Sequence, residues 1–301
     1  MIYPRLNRVR NGQRLSVELV NGLIKRTEYA GDLLRQGKCL AGTDVTVAQR
    51  YDGTTISGGG RFRIGGYATV GGVDRGFLYN GSTFTDIIYP GAIHTYAYGI
   101  DGSNIVGTTV VGGILKGFLY NGSTFTDIIY PSSSNTQVFG IDGLNIVGYT
   151  LSGFTEKSFL YNGSAFTDII YPGATVAYAF GIDGSNIVGQ ANNAFLYNGS
   201  TFTDIIYPGS TGGAAYGIDG SNIVGFVNVG GIIKGFLYNG STFTDIIYSG
   251  AASTIAFGIN GSNITGYAIV GGTTKGFVYN GSTFTDIIYP GATTTQAFGI
   301  G

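Results

Sequence analysis

An aspartate recurs six times in one setting, Phe-Thr-Asp-Ile, at Asp86, Asp127, Asp168, Asp204, Asp245 and Asp286. Hydrolytic acid–base chemistry needs two carboxyl groups in unlike environments, one of them kept protonated. A sixfold copy supplies the same environment six times, so these carboxylates are expected to be structural, each bonding a neighbouring backbone N–H. A second repeated aspartate, in Gly-Ile-Asp-Gly, reads as a turn former, and its spacing does not match a calcium-binding EF-hand loop. His94 is the single histidine and Cys39 the single cysteine. No Ser-His-Asp set, His-based metal centre or Cys-His pair assembles around them, and no internal disulfide is possible. The many glycines sit at strand ends rather than ahead of a helix, so no phosphate-binding loop is read. The expectation is a protein that is not an enzyme, with no metal and no cofactor.

The elements that hold these residues are repeats. Near-copies of Tyr-Asn-Gly-Ser-Thr-Phe-Thr-Asp-Ile-Ile-Tyr-Pro-Gly begin at Tyr79, Tyr120, Tyr161, Tyr197, Tyr238 and Tyr279, spaced 41, 41, 36, 41 and 41 residues apart. Each unit carries four short apolar segments separated by turn signals, an antiparallel all-β pattern. Asn-Gly and Asp-Gly predict type I′ turns. Four strands per roughly 40 residues fit a propeller blade. The repeat is entered at its second strand near Arg63 and ends after a first strand at Ile300. The prediction is therefore an all-β, six-bladed β-propeller over residues 59–301, closed by the C-terminal strand. With 54 Gly, 22 Tyr and 19 Phe but only 11% charged residues, the composition suits turn-rich β-structure.

The copies differ unevenly. In a four-stranded meander the first-to-second and third-to-fourth turns share one face, and here they are nearly constant. The other face carries almost all the variation. His94, Asn135, Gln137, Glu156, Lys157, Asn192 and Asn193 are the polar candidates for ligand contact there, with Tyr96 and Tyr149 as aromatic surfaces on which sugar rings stack. Drift of unconstrained loops is the competing explanation. Arg75, Lys116, Lys157, Lys234 and Lys275 take matching positions in five of six blades. They read either as a basic ring that draws an anionic glycan or acidic surface, or as edge charges that keep the rim soluble.

Residues 1–50 are unlike the rest. They hold nine basic and four acidic residues, a net of +5, whereas the remainder holds seven and thirteen, a net of −6. The net-acidic propeller disfavours nucleic-acid binding. Ser16 and Glu18 mark a helix start, and Val20, Leu23, Ile24, Leu33 and Leu34 give it an apolar stripe over about 16–36. Short strands are expected after it, making residues 1–58 one segment. The polar, basic start from Met1 to Arg14 is not expected to act as a secretory signal, and no stretch is long enough for membrane insertion.

Two resemblances follow from these residues. The repeat, with its Gly-Ile-Asp-Gly-Ser-Asn-Ile-Val-Gly unit, resembles kelch-type propellers and the HAF-type repeats of some bacterial extracellular proteins. It differs from kelch in having Phe84 and its equivalents where a Trp belongs. Asn7-Arg8-Val9-Arg10-Asn11-Gly12, Arg26-Thr27 and Leu40-Ala41-Gly42 resemble the N-terminal attachment segment of phage tail fibres and related virion proteins. That resemblance implies localisation on the virion, docking onto other virion proteins through residues 1–58, and a propeller displayed outward to bind a host surface glycan or protein. Two alternatives stand beside it, a capsid decoration or tail component that binds other virion proteins, and a polysaccharide-acting propeller enzyme. A homo-oligomer is compatible with each.

Overall fold

The computed structural model describes residues 62–152 and 155–301. Residues 1–58, with the expected helix stripe of Val20, Leu23, Ile24, Leu33 and Leu34 and the strands after it, lie outside the described residues.

Residues 63–301 form six four-stranded antiparallel sheets, the blades of a β-propeller, with no helix among the described residues. Blade 2 shows the pattern: His94–Asp101, Asn104–Val111, Ile114–Tyr120 and Phe125–Ile128, in spatial order. Blades 3 to 6 follow, starting at Asn135, Tyr178, Gly212 and Ser253. Blade 1 takes its second to fourth strands from Ile64–Val70, Val73–Tyr79 and Phe84–Ile87. Its first strand is Thr294–Ile300 from the far end of the chain. Thr69 faces Thr294 in this pairing, and Arg63 and Gly301 exchange backbone hydrogen bonds of 2.8 and 3.0 Å.

Alternation places one face of each strand in the layer between blades. Phe77, Phe118, Phe159, Phe195, Phe236 and Phe277, one per third strand, are fully buried there. Each packs edge-on against the Phe that opens the fourth strand, as Phe77 does against Phe84 at 5.1 Å. These aromatics join buried Ile, Val and Ala side chains in the apolar layers that hold adjacent sheets together.

The turns correct one expectation. In Asn80-Gly81 and Asp101-Gly102 only the glycine has positive φ (90° and 55°), so neither is type I′, which needs positive φ at two successive residues. The Asn80 side chain instead accepts the backbone N–H groups of Ser82 and Thr83 at 3.1 and 2.9 Å, which fixes a four-residue loop. Paired positive φ occurs at Gly71-Gly72, between the second and third strands.

Candidate functional site

Each first strand carries one residue too many for its partner. In blade 2 Ala97 faces Gly107 and Gly99 faces Val106, leaving Tyr98 as a β-bulge, and the other five blades repeat this irregularity. A bulge bends the strand and re-aims its side chain. Here it turns Tyr98, Phe139, Phe180, Tyr216, Phe257 and Phe298 against one another around the axis. Successive ring centroids are 4.8, 5.3, 4.8, 4.6 and 4.1 Å apart, and Phe298 returns to Tyr98 at 4.9 Å. Glycine follows each aromatic because the next blade is so close. A Cβ on Gly99 would stand 2.5 Å from the Phe139 carbonyl oxygen. These six aromatic-Gly-Ile triplets, with Gln137 and Tyr149, line an axial cavity of about 400 Å³.

Above this aromatic floor, on the side of the variable connections, lies a second ring made of six cross-strand pairs. Four pairs contain a Tyr with a polar neighbour: Tyr67 with Gln296, Tyr96 with Thr108, Gln137 with Tyr149, and Tyr178 with Gln190. The other two are Ala214 with Phe226 and Ile255 with Tyr267. The ring thus has a polar arc over blades 1 to 4 and an apolar arc over blades 5 and 6.

Two carboxylates serve the polar arc. Asp74 accepts from the Tyr96 hydroxyl at 2.9 Å and from Thr69 at 2.7 Å, and His94 Nδ1 lies 3.3 Å from it while accepting the Asp74 backbone N–H at 3.1 Å. Glu156 accepts from the Tyr178 hydroxyl. Gln137 donates to the Tyr149 hydroxyl at 2.8 Å, and Tyr149 meets Tyr178 edge-on at 4.7 Å. Burial, aided by the Asp74 charge, pushes Tyr67 up to about 12. Burial, with the Glu156 bond and charge, does the same for Tyr178. Tyr96 is raised by burial and then by Asp74. These phenols therefore stay protonated near neutrality and act as hydroxyl donors. The Thr108 hydroxyl is buried and has no hydrogen-bond partner among the described residues.

The structure divides the candidate contact residues. His94 and Tyr96 gather with Asp74 at one place on the polar arc, and Gln137, Tyr149 and Glu156 gather with Tyr178 at another. Asn135 does not join them, since its side-chain oxygen accepts the Leu115 N–H at 3.2 Å and ties two blades together. Asn192 is exposed in the turn between the second and third strands of blade 4. Lys157 and Asn193 sit at the outer rim, because side chains alternate along a strand and Lys157 points away from the face that Glu156 serves.

The rim explains both the repeated aspartates and the basic ring. Lys116, Lys157, Lys234 and Lys275 lie 3.6, 3.1, 2.7 and 3.6 Å from Asp127, Asp168, Asp245 and Asp286 of their own blades. In the short blade Asn193 replaces lysine and donates to Asp204 at 3.0 Å. Arg75 lies beside the Tyr289 hydroxyl. The lysines are therefore not a free cationic ring. The other oxygen of each aspartate accepts a tyrosine hydroxyl from the preceding blade. Tyr89 reaches Asp127 at 2.5 Å, Tyr130 reaches Asp168 at 2.6 Å, and Tyr207 and Tyr248 reach Asp245 and Asp286 at 2.7 Å. Tyr171 bonds Asp204, and Tyr289 reaches Asp86 at 2.5 Å.

The expected backbone N–H partner is thus corrected to a phenol for these aspartates. The backbone role belongs to the Gly-Ile-Asp-Gly aspartates, which do more than form turns. Asp101, Asp142, Asp183 and Asp219 accept the N–H of Gly143, Gly184, Gly220 and Gly261 in the next blade at 2.6–2.8 Å. Among the described residues no three His, Cys, Asp or Glu side chains are grouped to hold a metal ion.

Sequence reasoning missed Tyr67, Asp74, Thr108, Tyr178 and Gln296. A signal was present. The residue after the Ile-x-Gly of each second strand reads Tyr67, Thr108, Tyr149, Gln190, Phe226 and Tyr267, varying inside an otherwise repeated strand.

No family model and no curated protein matches the chain. Solved propellers do. The β-propeller domain of the trilobed protease from Pyrococcus furiosus superposes with a TM-score of 0.47 at 10% identity, over 76% of this chain and 95% of that one. The acylaminoacyl peptidase of Pyrococcus horikoshii matches with 0.46 at 11% identity, over 72% of this chain and 41% of its own. The tricorn protease matches with 0.26 at 13% identity, over 76% and 31%. This chain spans less than half of the last two. The matches correct the expectation of a protein that is not an enzyme. Propellers of peptidases stand among its structural likenesses, so that exclusion is withdrawn. The activities named belong to the matched proteins, and at such identities the likeness is one of fold alone.

Proposed function

We propose that the chain is a virion protein, of the kind found in tail fibres, whose propeller binds a host-surface saccharide at the axial mouth. The observation that carries this reading is the polar arc itself. Tyr67, Tyr96, Tyr149 and Tyr178 bring half-buried rings and hydroxyls beside Gln137, Gln296, Asp74 and Glu156, on the side where the connections diverge. Sugar rings are recognised by aromatic stacking combined with amide, hydroxyl and carboxylate partners fixed in direction. The resemblance of residues 1–58 to a tail-fibre attachment segment supports docking onto other virion proteins through that end. The repeat supports kinship with kelch-type or HAF-type propellers. Pairing of residues 294–300 with 64–70 is proposed to be the closure that keeps the mouth rigid.

Presenting the full chain to an array of bacterial surface saccharides tests the reading. Saturable binding to a defined glycan is expected. Uniform failure to bind any glycan or whole host cell, with the chain stably incorporated into particles, would overturn it in favour of a purely structural role.

A further inference from the structure

The polar arc is unbalanced in charge. It holds two carboxylates, Asp74 and Glu156, and among the described residues neither faces a lysine or arginine. All four lysines among the described residues are bound to rim aspartates, Arg75 lies beside the rim phenol Tyr289, and Arg63 donates to the Gly102 carbonyl on the opposite face. Among the described residues the only basic group beside either carboxylate is His94, stacked on Tyr96 at 6.2 Å. Each carboxylate accepts a tyrosine hydroxyl, Asp74 from Tyr96 and Glu156 from Tyr178, so a cation drawn to either lies next to aromatic rings. A second, independent observation marks the same arc. Thr108 takes the position that Tyr67 and Tyr149 occupy in the neighbouring blades. Thr108 is 1% exposed and its hydroxyl has no partner among the described residues, which is costly unless something arrives to satisfy it.

We propose that the mouth selects an amino sugar oligomer with free, protonated amines, one ammonium facing Asp74 beside Tyr96 and another facing Glu156 beside Tyr149 and Tyr178. This rests on the saccharide reading above and narrows it. A neutral or acetylated sugar would leave both carboxylates without a cation. An anionic sugar would meet them with like charge.

Isothermal titration of the full chain with glucosamine oligomers, N-acetylglucosamine oligomers of equal length, and tetramethylammonium tests it. The free-amine oligomer is expected to bind at least about tenfold more tightly than its acetylated counterpart, a difference within reach of one cation–π or charge contact. E156Q, which keeps an acceptor for Tyr178, is expected to remove most of that preference. D74N does the same if its thermal midpoint shows it folded. Equal affinity for both oligomers, or a preference untouched by E156Q, overturns the amine inference and leaves saccharide binding standing. Binding of tetramethylammonium as tight as the oligomer shows recognition of the cation alone and overturns the sugar part. No binding by these probes, together with a blank saccharide array, overturns the broader reading as well.

Discussion

Tyr289 donates its hydroxyl to Asp86 at 2.5 Å across 203 residues of chain, joining blade 6 to blade 1 in the same way that Tyr130 joins blade 2 to blade 3 through Asp168 at 2.6 Å. The seam between the ends of the repeat array is thus built from the same contact as the seams inside it. Y289F and Y130F should each remove one hydrogen bond, at a cost of about 1 kcal/mol and a fall of ~2–4 °C in thermal midpoint. Equal losses are expected. A much larger loss for Y289F would show the terminal seam to be the weak point.

The seams also set the pH dependence. The Tyr130 hydroxyl, helped by Lys157 and opposed by partial burial, holds Asp168 below the usual carboxylate range. For Asp245 partial burial acts upward, and the Lys234 ammonium and Tyr207 hydroxyl outweigh it. A lowered folded-state value means stability that is complete above the unfolded value and lost as pH falls through the folded one. At the other end, the Asp127 bond lifts Tyr89 to about 12. A raised value gives stability that is complete below about 10 and lost as pH rises toward 12. Thermal midpoints measured from pH 2 to 12 should therefore form a plateau that falls below about pH 4 and again above about pH 10. A midpoint that declines between pH 5 and 9 would contradict this assignment.

Gly99 is held by its neighbour rather than by a turn. Its missing Cβ would stand 2.5 Å from the Phe139 carbonyl oxygen, which belongs to the next blade and has no room to yield. Gly99→Ala should destabilise the fold by about 1–3 kcal/mol, as overpacking does. Gly212→Ala, where nothing lies within 4 Å, should stay within roughly 0.5 kcal/mol of the parent. Urea unfolding of the two variants separates these outcomes.

Thr108→Val replaces an unpartnered buried hydroxyl with a methyl of similar shape. Free of ligand, the variant should be as stable as the parent or more so, by up to about 1 kcal/mol. A clear loss of stability by differential scanning calorimetry would mean that the hydroxyl has a partner in solution.

Much of the fold was legible because turn chemistry recurs at fixed offsets. Six Tyr-Asn-Gly and six aromatic-Gly-Ile motifs divide the chain into four-stranded units without any knowledge of packing. The candidate contacts Tyr96, Gln137 and Tyr149 were legible because they vary where their neighbours repeat. The bulge at Tyr98 was not, since a one-residue register shift depends on which strand lies opposite. The Tyr130–Asp168 bond was also hidden, because it joins residues 38 apart whose proximity is set by how two sheets stack. Lys157 and Glu156 are adjacent in sequence yet serve opposite sides of their sheet, so one belongs to the rim and the other to the mouth.

The most direct test of the account compares mouth and rim on one surface-saccharide array. Wild type, Y96A, Y149A and the rim variant K116A would be read side by side, each first shown to be folded by its thermal midpoint. The account predicts that Y96A and Y149A lose saccharide binding by about tenfold or more, in line with the loss of one stacked aromatic, while K116A binds as wild type does. Binding that survives both tyrosine changes and disappears in K116A would place recognition at the rim and contradict it.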